Sequence, residues 1–153
     1  ADAAAVLTTL GIGAATESTA GLVEMATDAE IYAATSGNKA IMAQDLSTAS
    51  AAVALTDAAT ISFDWTAGIN RTVTLGGNRT LGNPSNGIAG TWRRVQVTQD
   101  GTGSRTLAYG NQYVFSGGAE PVLTTTAAAV DVLHIYCRTS SIFEVYASLD
   151  MKQ

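Results

Sequence analysis

The stretch that decides the fold is VDVLHIYCR at residues 130–138, followed by FEVYASL at residues 143–149. The first run is almost continuously apolar, which is typical of a strand that is buried on both faces. The second run alternates apolar and polar side chains with a period of two, which is typical of a strand with one buried face. Together the two runs predict that this end of the chain is β structure.

Shorter alternating runs precede these two strands, and they begin near Ile61, Thr72 and Val95. Turn signals rich in Gly, Asn and Pro separate the runs, at residues 76–78, 83–87, 100–104, 117–118 and 120–121. Many short strands at this spacing predict an antiparallel β-sandwich of the jelly-roll kind. The near-repeat of NRTVTLG at 70–76 and NRTLG at 78–82 indicates a hairpin with similar arms, and it is too short to imply a solenoid.

The composition of the chain changes near residue 58. Residues 1–58 are rich in Ala and contain no Trp, Phe, Pro or Arg, whereas residues 59–153 hold all of these together with the single Cys and the single His. A segment with so few large apolar side chains cannot build a core of its own. We therefore expect residues 1–58 to form a short strand and helix stem that packs with two other copies around a threefold axis, and residues 59–153 to form a β-sandwich head.

Within the stem, the pattern predicts a short strand over residues 21–27. A helix capped by Asp28 and ended by Gly37-Asn38 follows it. Residues 47–55 form a second Ala-rich stretch, whose thin apolar stripe includes Leu46 and Val53. Such a narrow stripe fits packing against a copy of itself better than packing into a globular core.

Charge and cysteine content exclude several classes of function. The formal net charge is −5 and only 14% of the residues are charged, which argues against a nucleic-acid partner, because such proteins need a basic face. One Cys and one His exclude an internal disulfide and a multi-cysteine zinc site, and we expect no metal and no cofactor. Because no apolar run reaches about 18 residues, we expect no membrane insertion.

Two parts of the sequence resemble bacteriophage proteins. GLVEMATDAE at 21–30 and KAIMAQDL at 39–46 resemble the short repeat of tail fibres, although Met-Ala-Gln-Asp replaces its usual Thr-Pro segment. Residues 72–149 resemble a β domain found at the ends of fibres and other virion proteins, through phrases at 72–78, 97–107, 117–127 and 130–133. The resemblance implies a homotrimeric fibre tip located in the virion. Its N-terminal segment would attach to other tail or capsid proteins, and its β domain would face the host.

The residues that could carry catalysis are badly spaced for it. His134 and Cys137 are three residues apart, so on a strand they point to opposite faces, and Asp131 and His134 fail in the same way. A Cys–His nucleophile pair needs hydrogen-bond contact. The acidic residues of the β half stand singly, and no local pairing provides two glycosidase carboxylates: Asp64, Asp100, Glu120, Asp131 and Glu144. The sequence therefore predicts that the protein is not an enzyme.

Loops and arginines also have structural interpretations. The segment 100–104, DGTGS, has one carboxylate where calcium loops carry several, so a tight hairpin turn with Gly at positive φ explains it better. Arginines in the β half either bind acidic host sugars or pair with Asp and Glu across the trimer: Arg71, Arg79, Arg93, Arg94 and Arg105. We favour pairing, since acidic residues are in excess.

Six aromatic residues are the candidates for receptor binding, because an exposed ring can stack on a sugar: Trp65, Trp92, Tyr109, Tyr113, Tyr136 and Tyr146. Tyr109 and Tyr113 flank a turn that contains Asn111, and we expect these three residues, with Trp92, to contact the receptor. The alternative for the aromatic side chains is burial in the core or at the trimer interface. Trp65 continues an alternating apolar run and is assigned to the core.

These observations predict a non-enzymatic phage fibre protein that fixes the virion to a glycan or protein on the bacterial surface. Three copies in each fibre would strengthen weak individual sites. The alternative is a purely structural virion component, such as a head spike, a decoration protein or a fibre adaptor. A third class, a capsule depolymerase, is disfavoured because the sequence shows no recognisable acid and base pair.

Overall fold

The computed structural model describes residues 24–35 and 39–151. The described residues are mainly β, with 39% strand and 13% helix, which confirms the predicted class. Within these residues two short helices precede nine strands, and a 3-10 turn (Ser116–Gly118) follows the seventh strand. The elements are α1 (Asp28–Ala33), α2 (Ala43–Ala49), β1 (Ala52–Ala54), β2 (Thr60–Ile61), β3 (Asn70–Leu75), β4 (Arg79–Leu81), β5 (Trp92–Gln99), β6 (Leu107–Tyr109), β7 (Tyr113–Phe115), β8 (Val130–Thr139) and β9 (Ile142–Ser148).

The strands form two sheets, of six strands in the order β1-β3-β5-β8-β9-β7 and of three strands in the order β2-β4-β6. In the described residues, only the β5–β8 and β8–β9 pairs are antiparallel, and the other five pairs are parallel. The prediction of an antiparallel jelly roll is therefore wrong. The parallel pairing arises because the chain crosses to the other sheet after β1, β3 and β5, instead of turning back to pair with the preceding strand.

The first six strands make three turns of a coil. Each turn contributes one strand to each sheet, and Val53, Arg71 and Val95 lie side by side in the larger sheet. In the smaller sheet Thr80 lies between Thr60 and Ala108. The predicted hairpin over residues 70–82 is also wrong, because β3 and β4 lie on the same turn of the coil but in different sheets.

The core cluster draws side chains from both sheets. Trp65 is completely buried and lies with its ring centroid 5.7 Å from that of Phe63 and 5.0 Å from that of Phe143, which confirms the assignment of Trp65 to the core. The strand β8 was expected to be buried on both faces. Its inward residues, such as Ile135, are buried, and on the opposite face Val132 is also buried whereas His134 is exposed, so the second face of β8 is buried only in part.

Two arginines are buried in the protomer. Arg71 and Arg93 are only 6% and 5% exposed, so the expectation that they pair with acids across a trimer is wrong for both. The Arg93 guanidinium lies 4.9 Å from the Trp65 ring centroid, and its Nε donates to the Trp65 carbonyl at 2.8 Å. A further N–H of Arg93 donates to the Tyr32 carbonyl at 3.2 Å, which ties the last turn of α1 to the head. Burial lowers the pKa of Arg93.

The helices of the predicted stem begin and end at other residues than expected. Thr27, and not Asp28, caps α1, and its hydroxyl accepts from the Glu30 backbone N–H while the Glu30 carboxylate accepts from the Thr27 N–H. The helix ends at Ala33, and its C-cap residue Ala34 is in the left-handed conformation. The Gly37-Asn38 signal and residues 21–23 of the predicted strand lie outside the described residues. Met25 forms a parallel bridge with Ala40.

The last seven residues of the predicted stem join the head. The helix α2 ends at Ala49, and β1 then pairs with β3. Leu55 is buried in the core cluster, and Asp57 receives two N–H donors of Arg79, at 2.6 and 2.7 Å. The Arg79 guanidinium lowers the pKa of Asp57. The division at residue 58 stays a prediction, and these contacts connect its two sides.

Truncation of the Phe143 ring tests the core. Phe143→Ala removes the contacts with Trp65 and with Tyr113, whose ring centroid is 6.1 Å away. We expect the free energy of unfolding to fall by about 3–5 kcal/mol, because the ring is fully buried and leaves a cavity. Urea unfolding followed by circular dichroism measures it. Val122→Ala is the control, since Val122 is 80% exposed, and an equal loss in both variants would contradict this core.

Candidate functional site

The outward face of the six-stranded sheet carries three aromatic side chains in contact. The ring centroid of Trp92 lies 4.9 Å from that of Tyr136 and 6.0 Å from that of Tyr146. Trp92, the ring that contacts the other two, is 50% exposed, Tyr146 is 48% exposed, and Tyr136 is half-buried. We call these three residues the aromatic platform. Such a surface offers several ring faces to a ligand without any movement of the backbone.

Strand parity and register create this platform. Arg93 and Val95 point into the core, so Trp92, one residue earlier on β5, points outward. The register places Trp92 directly opposite Tyr136 on β8, and Tyr146 lies on β9, the next strand of the sheet. Contacts between cross-strand neighbours on one face are the ordinary consequence of this spacing. The three strands belong to the antiparallel part of the sheet.

A cleft adjoins the platform at Tyr146. Its volume is about 320 Å³, which lies at the small end of the range for ligand pockets. The Tyr146 hydroxyl donates to Glu144 Oε2 at 3.1 Å, and Arg138 donates to Glu144 Oε1 at 3.3 Å. The bond to the Glu144 carboxylate raises the pKa of Tyr146. The cleft is lined by Val114, Phe115, Ser116, Arg138, Glu144, Val145 and Tyr146. Its wall therefore combines apolar groups with a small number of fixed polar ones.

The structure separates the four residues expected to contact a receptor. Trp92 is exposed and belongs to the platform. Asn111 is exposed, and its Oδ1 accepts from Asn83 Nδ2 at 2.7 Å. Tyr109 is half-buried, and burial raises its pKa. The exposure expected for Tyr113 is wrong, because only 5% of it is exposed and its hydroxyl donates to the Gly82 carbonyl at 2.9 Å.

Tyr109 and Tyr113 pack together inside the turn that they flank. Their ring centroids are 5.7 Å apart, and the Tyr109 centroid is 5.0 Å from that of Phe115. The turn thus directs its rings toward the core, which is the alternative that the sequence left open. Tyr136 and Tyr146 are among the aromatic candidates for sugar stacking, but the four predicted receptor contacts do not include them. The signal was their alternation with Ile135 and Val145, but it needed the strand register to become informative.

The catalytic candidates occupy structural positions. Asp131 is buried, and its carboxylate accepts from the backbone N–H and the hydroxyl of Thr124 and from the Asp150 N–H, at 2.7–2.8 Å. His134 points to the opposite face, as parity predicted. Cys137 is buried and its thiol donates to the Thr139 carbonyl at 3.1 Å. Burial raises the pKa of Cys137, which disfavours the reactive thiolate.

The Asp100 loop is a turn, as expected, but not a hairpin. Its carboxylate accepts from the Thr102 and Gly103 N–H groups at 3.0 and 2.9 Å, and Gly103 has a φ of 75°. The strands on either side, β5 and β6, lie in different sheets. Arg105 pairs with Asp100 at 2.7 Å, so Arg105, like Arg79, has its acidic partner within the same protomer and not across a trimer.

In residues 24–35 and 39–151, no group of three or more His, Cys, Asp and Glu side chains is placed to hold a metal ion. Within these same ranges no helix has the length and apolar character needed to cross a membrane. Comparisons with protein-family models, with curated proteins and with solved structures find no match to this chain.

Fluorescence quenching tests the exposure of the platform. The chain has two tryptophans, of which Trp65 is fully buried and Trp92 half exposed. Trp92→Phe should therefore leave blue-shifted emission that acrylamide quenches several-fold less than the emission of the wild-type protein.

Tyr109→Phe is the control for this comparison, because it changes an aromatic residue outside the platform and should leave the quenching unchanged. Strong quenching of the remaining Trp65 emission in a folded Trp92→Phe variant would show that the assignment of buried and exposed tryptophans is wrong.

Proposed function

We propose that this protein is a non-enzymatic, homotrimeric fibre protein of a bacteriophage virion that attaches the particle to the host surface. The observation that carries the proposal is the aromatic platform beside a cleft, on the antiparallel part of the sheet. The head binds a surface glycan or protein with this face, and the N-terminal segment contacts other virion proteins. We further infer that the mixed six-stranded sheet and the parallel three-stranded sheet pack as a sandwich around the shared core cluster.

Exposed apolar side chains in the N-terminal segment support the trimer. Met25, Ile41, Met42 and Leu46 are 41–55% exposed in the single protomer. The helices α1 and α2 are too short to be stable by themselves. Packing against two further copies would remove these side chains from water, at roughly 25 cal/mol for each Å² of apolar surface buried.

A non-enzymatic role is supported by four of the five acidic residues considered for catalysis, Asp64, Asp100, Asp131 and Glu144. Asp64 accepts from the Thr66 backbone N–H and from Asn86, and Asp100 and Asp131 hold loops in the way described above. Glu144 is bound by Tyr146 and Arg138. Each of these groups has a structural partner, whereas a glycosidase needs one carboxylic acid and one carboxylate free to face the scissile bond.

The second candidate is a purely structural virion component, such as a head spike, a decoration protein or a fibre adaptor. The observation in its favour is that exposed Trp and Tyr side chains are also enriched at protein–protein interfaces. In that case the platform would contact another virion protein, and it would bind no host molecule.

The trimer is tested by placing a charge on the exposed N-terminal face. Sedimentation equilibrium of the full chain should give three times the 15.7 kDa protomer mass. Leu46→Asp should give one protomer mass with an unchanged urea midpoint of the head, because Leu46 is already exposed in the protomer. Val122→Asp, which alters an exposed apolar residue of the head, should stay trimeric. A wild-type protein with a mass of 15.7 kDa would contradict the trimer.

Attachment is tested with fluorescently labelled full-length protein on a panel of bacteria that carry different capsules and lipopolysaccharides. Wild-type protein should bind a subset of strains, and Trp92→Ala should lower the bound fluorescence at least tenfold, because the central ring of the platform is lost. Val122→Ala should bind like wild type. The bound polysaccharide should show no new reducing ends.

Two results would speak against this function. Wild-type protein that binds no strain would favour the structural virion component, and new reducing ends would favour a depolymerase.

A further inference from the structure

We propose that the aromatic platform and Arg94 together form a binding site for an acidic saccharide, with the pyranose ring stacked on Trp92 and its carboxylate paired with the Arg94 guanidinium. This inference rests on the proposed attachment function and specifies the chemical class of the surface molecule. A hexuronic or a nonulosonic acid within a surface polysaccharide has both required groups.

Arg94 lies on the same face as the platform. It follows Trp92 by two residues on β5, so the two side chains project from one face about 6.6–7 Å apart along the strand. In the next row of the sheet Arg94 lies opposite His134, and His134 lies opposite Tyr146. Arg94 and Tyr146 therefore flank His134, one row away from the contact between Trp92 and Tyr136.

Among the residues that the structure describes, Arg94 has no acidic partner, in contrast to three other arginines of the chain. Arg79, Arg105 and Arg138 pair with Asp57, Asp100 and Glu144 at 2.6, 2.7 and 3.3 Å. In the part of the chain that the structure describes, Arg94 donates only to Gln96 Oε1, at a long 3.4 Å. An uncompensated guanidinium is unusual in a chain of net charge −5, and its planar fork matches a carboxylate with two parallel bonds.

The chemistry of the platform complements the other part of such a ligand. The face of an aromatic ring carries partial negative charge and attracts the C–H groups that one face of a pyranose presents. The carboxylate of an acidic sugar is attached directly to the ring, so stacking on Trp92 leaves it within reach of the flexible Arg94 side chain. The cleft beyond Tyr146 leaves room for the chain to continue.

A nucleic acid would also offer rings and negative charge, but the charge pattern disfavours it. Binding to a phosphate backbone depends on several cations that displace counterions. Here one uncompensated arginine stands on a face that also bears Glu144, in an acidic chain. An acidic saccharide, with one carboxylate for each stacked sugar ring, fits this arrangement. A nucleic acid, with a phosphate at every nucleotide, does not.

The test uses full-length protein on an array of glucuronate-, galacturonate- and sialate-containing oligosaccharides, each printed beside its carboxyl-reduced neutral form and beside oligothymidylate. We expect binding to at least one acidic saccharide and a loss of about tenfold on carboxyl reduction. Trp92→Ala and Arg94→Gln should each weaken the binding about tenfold. Arg94→Gln should cost little further affinity for the reduced form, because its partner is already gone.

Controls separate the ion pair from a general effect of charge or folding. Arg94→Lys keeps the charge but loses the planar fork, so its affinity should lie between those of the wild type and Arg94→Gln, and Val122→Ala should retain the full affinity. The proposal is overturned if no acidic saccharide binds, if Arg94→Gln has no effect, or if oligothymidylate binds more tightly than the saccharides. A change of oligomeric mass in Trp92→Ala would also overturn it, since the platform would then be an interface between copies. If Arg94→Gln and Trp92→Ala both bind bacteria like wild type, this site is wrong while attachment itself stands.

Discussion

Trp65 is fully buried in the core cluster between the two sheets, and the remaining architecture depends on its burial. Its ring packs against Phe63 from the coil and against Phe143 from β9, and its Nε1 donates to the Thr91 hydroxyl at 2.8 Å. The Arg93 guanidinium lies over the Trp65 ring, and its Nε donates to the Trp65 backbone carbonyl. Burial of this charge costs free energy unless the guanidinium N–H groups have acceptors. Because Arg93 must face inward for this contact, parity requires that Trp92 face outward.

The period-two patterns predicted which side chains of each strand enter the core, and Trp65, Phe143 and Val145 are buried as those patterns indicate. They could not predict strand direction. Parallel and antiparallel strands have the same alternation, so the crossing between sheets after β3 and β5 leaves no trace in the hydrophobic pattern. The turn residues were found correctly, as Gly103 shows, but a Gly at positive φ serves a crossover as well as a hairpin.

The site shows the same division between local and nonlocal information. Trp92 could be named from the sequence because it opens a strand next to an inward-pointing residue. Tyr136 and Tyr146 become its neighbours only through the register of three strands, and register depends on contacts between residues far apart in the chain. The prediction that Tyr113 is exposed is wrong for a related reason, since a residue beside a turn is exposed or buried according to the side on which the turn packs. In this protein it packs toward Phe143.

The coil also determines where the chain tolerates changes in length. The neighbours Val53 and Arg71 are closer in sequence than the neighbours Arg71 and Val95, yet both pairs keep the same lateral register. Extra residues between turns are therefore accommodated as longer crossovers, and the hydrogen-bonded ladder is not displaced. Because closing a longer loop costs only slightly more entropy, insertions and deletions can accumulate in these connections while the strands that carry the aromatic platform remain in place.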